Sequence, residues 1–215
     1  MNQDKLTTLF SQARLNGYTS LDEHEANLAL IGKISHKIGI LEIILRNCVD
    51  NLMQSKNPLW LKSLPGDSDI ELKMPKEENP TRDKLVSFQS LGFWVRVVEH
   101  YKIHNQIFSQ IFLDNLDLRK YYAKNRNRFR RNVWLTDYHK ASAILQLFRL
   151  IRNRAFHFEN LYKFTDNGYP RLNVKITNKY KENAYIALEP SKIITFLDDL
   201  IVSFDKDLID YAKQK

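Results

Sequence analysis

The chain has few of the residues that form cross-links or interrupt helices. Cys48 is its one cysteine, so an internal disulfide is excluded and a reducing compartment such as the cytoplasm suits the protein. Six glycines and six prolines are few for 215 residues and favour helices over a series of turns. No run of about 18 uncharged apolar residues occurs, and the start of the chain has no signal-peptide pattern. We therefore expect a mainly helical, cytoplasmic protein that does not cross a membrane.

The charge of the chain is strongly positive. The formal net charge is +8 and the isoelectric point is about 9.4. A basic excess favours polyanionic partners such as nucleic acid, because lysine and arginine neutralise phosphates and release counterions. Hydrophobic residues make up 43% of the sequence, so the chain can bury the core of one domain.

Hydrophobic periodicity predicts a long helix near the beginning of the chain. Ser20, with Glu23 three residues later, is a capping-box signature, and the helix that it opens is expected to run to about Gln54. A shorter helix over residues 4–16, ended by Gly17, is expected to precede it. The apolar residues of the long helix recur at three- and four-residue steps and are expected to be buried. They are Leu28, Ile31, Ile34, Ile38, Leu41 and Leu45.

The rest of the chain is expected to form a long loop, two helical regions, a β-hairpin and a last helix. The predicted bounds are 62–82 for the loop, 83–112 (with a break near Gly92) and about 136–156 for the helices, 171–177 paired with 184–188 for the hairpin, and 190 to the end for the last helix. We expect one domain over residues 1–215, with a helical core at about 20–165 and the hairpin and last helix at 170–213.

An arginine and a histidine stand close together where the predicted helix 136–156 ends. Arg152 is followed after four residues by His157. Histidine titrates near neutral pH and can take a proton from a ribose 2′-hydroxyl or give one to the leaving 5′-oxygen. A guanidinium can hold the phosphate through two donors while charge develops on it. The pair suits RNA cleavage that needs no metal, although the spacing alone also arises by chance.

Helix geometry limits how Arg152 and His157 can act together. Five residues along an ideal α-helix rotate by roughly 500°, so the two side chains would point about 140° apart and lie about 7.5 Å apart along the axis. Either the helix ends before His157, or two copies meet so that Arg152 of one approaches His157 of the other. The alternative is structural, because cations near a helix C-terminus interact favourably with its dipole. His157 would then cap backbone carbonyls.

Three segments of the chain, in this order, resemble one protein family. They are LEIILRN at residues 41–47, LGFW at 91–94 and IRNRAFHFE at 151–159. Over roughly residues 20–165 the chain resembles the bacterial abortive-infection proteins of the Abi-D/F-like group, a branch of the HEPN superfamily. The first segment is similar to that family's LEVALRN and the last to its RNRxAHHE. In this chain phenylalanine follows His157, where the family often has a pair of histidines.

The resemblance implies an all-α bundle of the HEPN type, usually dimeric. The hairpin that the sequence pattern predicts near 171–188 would be a small insertion in this mainly all-α fold. It implies a metal-independent endoribonuclease that works without a cofactor, with Arg152 and His157 as its catalytic pair at the dimer interface. Cleavage would leave a 2′,3′-cyclic phosphate. Asn153, Arg154 and Glu159 are expected to orient the pair or the substrate. Such proteins often act as toxins in phage defence or in toxin–antitoxin pairs, so an antitoxin made of protein or RNA is a candidate partner.

Glu42 and Arg46 belong to the first of these segments and lie one helical turn apart. An acid followed four residues later by a base stabilises a helix, which is one explanation for the two residues. The other explanation is a supporting role beside Arg152 and His157. The sequence leaves both open.

Residues 118–136 contain no acidic residue and many cations. Cations hold a phosphate backbone, and aromatic rings stack on unpaired bases. We therefore expect this basic run to bind RNA; a solvated basic surface over buried aromatic rings is the alternative. Its cations are Arg119, Lys120, Lys124, Arg126, Arg128, Arg130 and Arg131, and its aromatic residues are Tyr121, Tyr122, Phe129 and Trp134.

The sequence therefore predicts a dimeric HEPN-type endoribonuclease whose substrate is RNA. The second hypothesis is a non-catalytic RNA-binding, dimerisation or adaptor module on the same fold. The first predicts cleavage that depends on His157. The second predicts binding through the basic run, or to a protein partner, without cleavage.

Overall fold

The computed structural model describes residues 3–66 and 69–212. This part of the chain is mainly helical with a small antiparallel sheet, which confirms the prediction of a helical bundle with a β-hairpin. None of its helices is both long and apolar enough to cross a lipid bilayer. In chain order the elements are α1 (Gln3–Phe10), α2 (Gln12–Leu15), α3 (Leu21–Lys56), α4 (Arg82–Phe88), α5 (Leu91–Tyr101), α6 (His104–Ile107), α7 (Gln110–Asn115), α8 (Asp137–Phe156), β1 (Asn173–Thr177), β2 (Asn183–Ala187), α9 (Ile193–Phe204) and α10 (Leu208–Tyr211).

The long helix α3 begins where the capping signature predicts. The Ser20 hydroxyl accepts a hydrogen bond from the Glu23 backbone N–H at 3.1 Å. The Glu23 carboxylate accepts hydrogen bonds from the Thr19 hydroxyl and the Asn160 carboxamide. The second half of the predicted capping box is thus replaced by a contact with a segment far along the chain.

The predicted apolar stripe of α3 lies in the centre of the core. Leu28 is 36% exposed, so the expectation for this residue is wrong. Asn27 takes the buried place one position earlier. The helix packs against α5, α8 and α9. The other residues of the predicted stripe are all buried, namely Ile31, Ile34, Ile38, Leu41 and Leu45.

The region 83–112 divides into shorter helices; its first break, at Gln89 and Ser90, lies close to the predicted break near Gly92, and two further breaks follow. Ser90 begins α5, because its hydroxyl accepts a hydrogen bond from the Phe93 backbone N–H. Gly92 lies inside α5, where a Cβ would come 3.1 Å from Nε of Arg149 on α8. Glycine at this position therefore leaves room for the guanidinium of Arg149 against α5. The predicted loop 62–82 is irregular in its described part, apart from the residues that begin α4 and end a 3₁₀ turn.

The C-terminal part completes the core rather than forming an appendage. Strands β1 and β2 pair antiparallel, with Asn173 opposite Ala187, as the predicted hairpin requires. The hairpin packs on α8, and α9 packs on α3. The last helix is shorter than predicted, because α9 ends at Phe204 and α10 follows after a break. Residues 213–215, which the prediction included, lie outside the described part.

Helix α8 leads to the predicted site and closely matches the predicted bounds of about 136–156. Thr136 accepts a hydrogen bond from the His139 backbone N–H, and His139 Nδ1 accepts one from the Thr136 backbone N–H at 3.3 Å. These reciprocal bonds satisfy two N–H groups that a helix start would otherwise leave unpaired. The helix ends at Phe156, as predicted.

Acid pH is expected to destabilise the protein through His139. Burial lowers the pKa of this imidazole in the folded state below the ordinary value of 6.5. The unfolded chain then binds the proton more readily, so the free energy of unfolding falls as the pH drops below 6.5. Protonated Nδ1 also no longer accepts the hydrogen bond from Thr136.

Urea unfolding at several pH values between about 5 and 8 measures this dependence. His139→Gln, whose side chain does not titrate, should give a shallower fall toward acid pH. The free energy of unfolding of the variant should still depend on pH to some extent, because burial also lowers the pKa of His104. An equally steep fall in wild type and variant would show that His139 is not responsible.

Candidate functional site

The chain turns sharply where α8 ends, and His157 lies at this turn. His157 is the first residue beyond the helix, with φ −94° and ψ 5°. Phe158 follows in the left-handed region, with φ 52°. The Phe158 N–H donates to Ala155 O and the Glu159 N–H to Arg154 O, each at 2.9 Å, in a Schellman pattern that usually has glycine at this position. The left-handed backbone costs a bulky residue about 1–2 kcal/mol, so other contacts must hold the turn.

Polar side chains from the beginning of the chain hold this turn. The Asn27 carboxamide on α3 donates to Glu159 O at 3.1 Å and accepts from the Leu161 N–H at 2.8 Å. Arg14 on α2 donates from Nη1 to Phe158 O at 2.7 Å. The backbone beyond α8 is therefore tied to two helices that precede it by more than 100 residues.

His157 is exposed and lines a cleft of about 440 Å³ between this turn and the beginning of the chain. Arg14, Lys163 and Arg171 line the same cleft, and Glu159 is the acidic residue among the described residues around it. Three cations against one carboxylate make the cleft attractive to anions. The imidazole there can also accept or donate a proton. Sequence reasoning missed these three cations, because the chain brings them to His157 from distant positions.

Glu159 is shared by two arginines at the edge of the cleft. Its Oε2 lies 2.6 Å from Nη1 of Arg154 and 3.0 Å from Nη2 of Arg171. Arg154 is mostly buried, and burial together with the charge of Arg171 lowers the pKa of its guanidinium. Its Nε is buried without a hydrogen-bond partner in the described part. The single negative charge of Glu159 is thus shared between two guanidinium groups, and Glu159 holds Arg171 beside the cleft.

Arg152 is held against α3 by Glu42. Its Nε lies 3.0 Å from Glu42 Oε2 and its Nη2 lies 3.4 Å from Oε1, which is a two-point contact. The guanidinium carbon also lies 5.4 Å from the centre of the Phe156 ring. The ion-pair partner of Glu42 is therefore Arg152 and not Arg46, which lies one turn further along α3. Sequence spacing suggested Arg46 because it detects only neighbours within one helix.

Arg152 and His157 do not converge within one chain. The helix ends before His157, yet Arg152 is absent from the described residues that line the His157 cleft. Asn153 lies beside Arg152, with its Oδ1 3.5 Å from Nη1, and lines a separate cleft of about 280 Å³ on another side of α8. Of the two arrangements that helix geometry allows, the earlier helix end is present but does not bring the pair together.

The basic run divides into paired and unpaired cations. Three of its residues form ion pairs, and the other four are exposed and form none within the described part. The four unpaired cations line a cleft of about 570 Å³ that also reaches the hairpin. The pairs are Arg119 with Asp117, Lys120 with Asp199, and Arg131 with Glu182. The unpaired residues are Lys124, Arg126, Arg128 and Arg130.

The aromatic residues of the basic run are mostly part of the core. Tyr121, Tyr122 and Phe129 are buried, so the expectation that they stack on RNA bases is wrong. Hydrophobic burial of their rings against the bundle outweighs exposure beside the cations. Trp134 alone among the four is exposed, with 68% of its surface accessible.

No protein-family model, curated protein or solved structure matches this chain. Within the described ranges, no group of three or more histidine, cysteine, aspartate or glutamate side chains is placed to hold a metal ion. The candidate site therefore consists of the His157 cleft, the Arg152–Glu42 pair and the cleft of the basic run.

Glu159→Gln is expected to lower the free energy of unfolding by about 1–2 kcal/mol, because it leaves the mostly buried Arg154 without an anionic partner. Glu159 itself is 37% exposed, so solvent screening keeps the loss below that of a fully buried pair. Urea unfolding measures the change. Glu77→Gln is the matched control, because Glu77 forms an exposed pair with Lys84 and its loss should cost less than about 0.5 kcal/mol. Equal losses in the two variants would contradict a stabilising role for Glu159.

Proposed function

We propose that the protein is a metal-independent endoribonuclease of the HEPN type, related to the abortive-infection proteins that its sequence resembles. The observation that carries the proposal is the exposed imidazole of His157 in a cleft lined by Arg14, Lys163 and Arg171. A proton-transferring group beside several phosphate-binding groups is what cleavage of a ribose–phosphate backbone requires. The similarity of residues 151–159 to the family motif favours RNA as the substrate.

In the proposed reaction the ribose 2′-oxygen attacks the adjacent phosphorus. The bond from O2′ to phosphorus forms and the bond from phosphorus to O5′ breaks, leaving a 2′,3′-cyclic phosphate and a 5′-hydroxyl. One proton leaves the 2′-hydroxyl and one is delivered to the 5′-oxygen. His157 performs one of these transfers, which typically contributes ~10²–10⁴-fold in rate. The surrounding cations bind the phosphate oxygens as negative charge develops on them.

Arg152 would reach the phosphate from a second copy of the chain. Glu42 holds its Nε and Nη2, whereas Nη1 has only a 3.5 Å contact with the neutral Asn153 Oδ1, so Nη1 is the donor most available to a phosphate. Ile43 follows Glu42 in the sequence and Phe156 contacts Arg152, and the two side chains are 50% and 44% exposed, so both would be available for apolar contact with a second copy. A two-fold axis near this surface would bring each Arg152 toward the partner's His157 and create two equivalent sites.

As the biological role we propose an RNA-cutting toxin in phage defence or in a toxin–antitoxin pair. The family resemblance supports this role. An antitoxin made of protein or RNA would then restrain the activity. Covering the His157 cleft would be sufficient for this, since the proton-transferring group is exposed.

A non-catalytic RNA-binding or dimerisation module is the second candidate, and the Arg152–Glu42 contact favours it. A guanidinium whose charge is offset by a carboxylate attracts phosphate less strongly than a free one. In that case the basic run would bind RNA and His157 would be a polar residue beyond the helix end. This function predicts RNA binding without cleavage.

His157→Ala is expected to abolish RNA cleavage and leave the fold intact, because the side chain is exposed and its imidazole forms no hydrogen bond within the described part. Wild type and variant are incubated with total RNA in the presence of EDTA, and the products are tested for 2′,3′-cyclic phosphate ends. His36→Ala is the matched control, since His36 is also exposed but lies on α3. Equal cleavage by wild type and His157→Ala overturns the mechanism. Absence of cleavage by the wild type supports the second candidate.

Mixing Arg152→Ala with His157→Ala is expected to restore activity that neither variant has alone. In a mixed dimer, one shared site contains both intact groups and the other contains neither. Random mixing should therefore recover about a quarter of the wild-type activity. The control mixes His157→Ala with the double variant Arg152→Ala/His157→Ala, which cannot form an intact site. If two folded, dimeric single variants remain inactive together, the site is not shared between copies.

A further inference from the structure

We propose that the cleft between the basic run and the hairpin binds single-stranded RNA, separately from the His157 cleft. We refer to this second cleft, of about 570 Å³, as the basic cleft. The choice of RNA as the ligand rests on the proposed function, but its binding can be measured without cleavage. The basic cleft is formed by residues 123–126 and 128–130 together with Tyr169, Asn183, Ala184 and Tyr185.

Burial alternates along the part of the basic run that forms this cleft. The residues at even positions are the exposed cations Lys124, Arg126, Arg128 and Arg130. The residues between them point toward the protein, with Asn125 and Phe129 buried and Asn127 half-buried. The four positive charges are therefore collected on one side of the segment.

Asn125 fixes this segment to the hairpin. Its Nδ2 donates to Leu118 O and to Ala187 O, each at 2.8 Å, and its Oδ1 accepts from the Ala187 N–H at 2.8 Å. The side chain is buried, so these bonds are costly to break. The backbone that carries the cations is thus held against β2, and the basic cleft is a built feature of the fold.

The charges of the basic cleft are available to an anion. No carboxylate is found among its described lining residues, and its four cations form no ion pair in the described part. Arg119, Lys120 and Arg131 differ, because each has a carboxylate partner that a phosphate would have to replace. The unpaired cations should therefore provide most of the phosphate binding of the basic run.

Two tyrosines supply the aromatic surface of the basic cleft, because Trp134, the exposed aromatic residue of the basic run, does not line it. Tyr185 on β2 is 57% exposed. Tyr169 is half-buried, and the buried Tyr122 contacts it edge-on with ring centres 5.4 Å apart. Cations beside exposed aromatic rings are typical of sites where successive unpaired bases stack. A duplex keeps its bases inside, so this arrangement favours a single strand.

One short turn connects the basic cleft with the His157 cleft. Tyr169 lines the first, while Lys163 and Arg171 line the second. The Arg171 N–H donates to Lys163 O at 2.9 Å, and the Thr165 N–H donates to Tyr169 O at 2.8 Å, so the turn is closed by hydrogen bonds. A strand bound in the basic cleft is therefore held next to the turn whose ends line the His157 cleft.

The test is the fluorescence anisotropy of a labelled single-stranded oligoribonucleotide, measured in the His157→Ala background so that the RNA stays intact. A 2′-O-methyl oligonucleotide with wild-type protein serves if that variant is unstable, since it lacks the attacking hydroxyl. Arg126→Ala/Arg128→Ala should weaken binding at least tenfold. It should also make the slope of log affinity against log salt shallower by about 1.4, or about 0.7 for each lost cation. Arg119→Ala removes a paired cation of the same run and should change affinity less than about twofold.

The aromatic contribution has its own matched pair of variants. Tyr185→Ala should weaken binding about fivefold or more, because each base–aromatic stack contributes to affinity. Tyr180→Ala is the control, since Tyr180 is 64% exposed in the turn of the same hairpin but does not line the basic cleft. Equal effects of Arg119→Ala and the double variant, or equal affinity for a duplex of the same sequence, would overturn the inference.

The inference and the proposed function can fail independently. If single-stranded RNA binds through the basic cleft but wild type cuts no RNA, the inference stands and the nuclease proposal fails. If wild type cuts RNA while the cleft variants bind and cut as it does, the inference alone is wrong. Absence of any binding to single-stranded RNA also overturns the inference.

Discussion

The candidate site depends on the hydrogen bonds of the Asn27 carboxamide. This carboxamide is completely buried on α3 and bonds at once to the Tyr18 hydroxyl, Glu159 O and the Leu161 N–H. A buried polar group left unpaired costs about 1–3 kcal/mol, so the three partners have little freedom to separate. Because they belong to the segments before α3 and after α8, this one side chain closes the His157 cleft from both sides. These hydrogen bonds also help to offset the free-energy cost of the left-handed backbone just beyond His157.

Carboxylates decide which of the many cations remain available to a ligand. Glu42 engages Arg152, and Glu159 engages both Arg154 and Arg171. These contacts hold the arginines of the motif region in place but offset part of their charge. The basic cleft has no such carboxylate among its described lining residues, so its four cations act on solvent and ligand directly. The positive net charge is thus divided between positioned arginines near α8 and available cations near the hairpin.

Local signals allowed much of the fold to be predicted from the sequence. Ser20 begins α3 as expected, because a cap depends on residues within one turn. The face of α3 at Leu28 was predicted wrongly, because a polar Asn27 is buried there by partners more than 130 residues away. The turn at Phe158 also lacked a signal, since glycine usually marks such a backbone. Its bulky residue is held there by tertiary contacts that no local pattern contains.

The candidate site likewise combines residues that a local sequence pattern identifies with residues that only the fold brings together. The motif around His157 is local and could be found in the sequence. Its neighbours Arg14 and Arg171 come from other parts of the chain, and the tyrosines of the basic cleft come from the hairpin and the turn before it rather than from the basic run. Whether a charge is free depends on a carboxylate elsewhere in the fold, which spacing along one segment does not report.

The geometry at the end of α8 explains why a second copy would matter for the proposed catalysis. Each chain has an exposed imidazole in one positive cleft and, away from it, an arginine oriented by a carboxylate on α3. A guanidinium that is held by a carboxylate cannot move far toward a ligand. It therefore loses little further conformational freedom when it binds a phosphate. Such a group acts best on a substrate that is brought to it. A two-fold arrangement would bring the partner's cleft, with its bound phosphate, to Arg152, so that assembly rather than side-chain movement would complete the site.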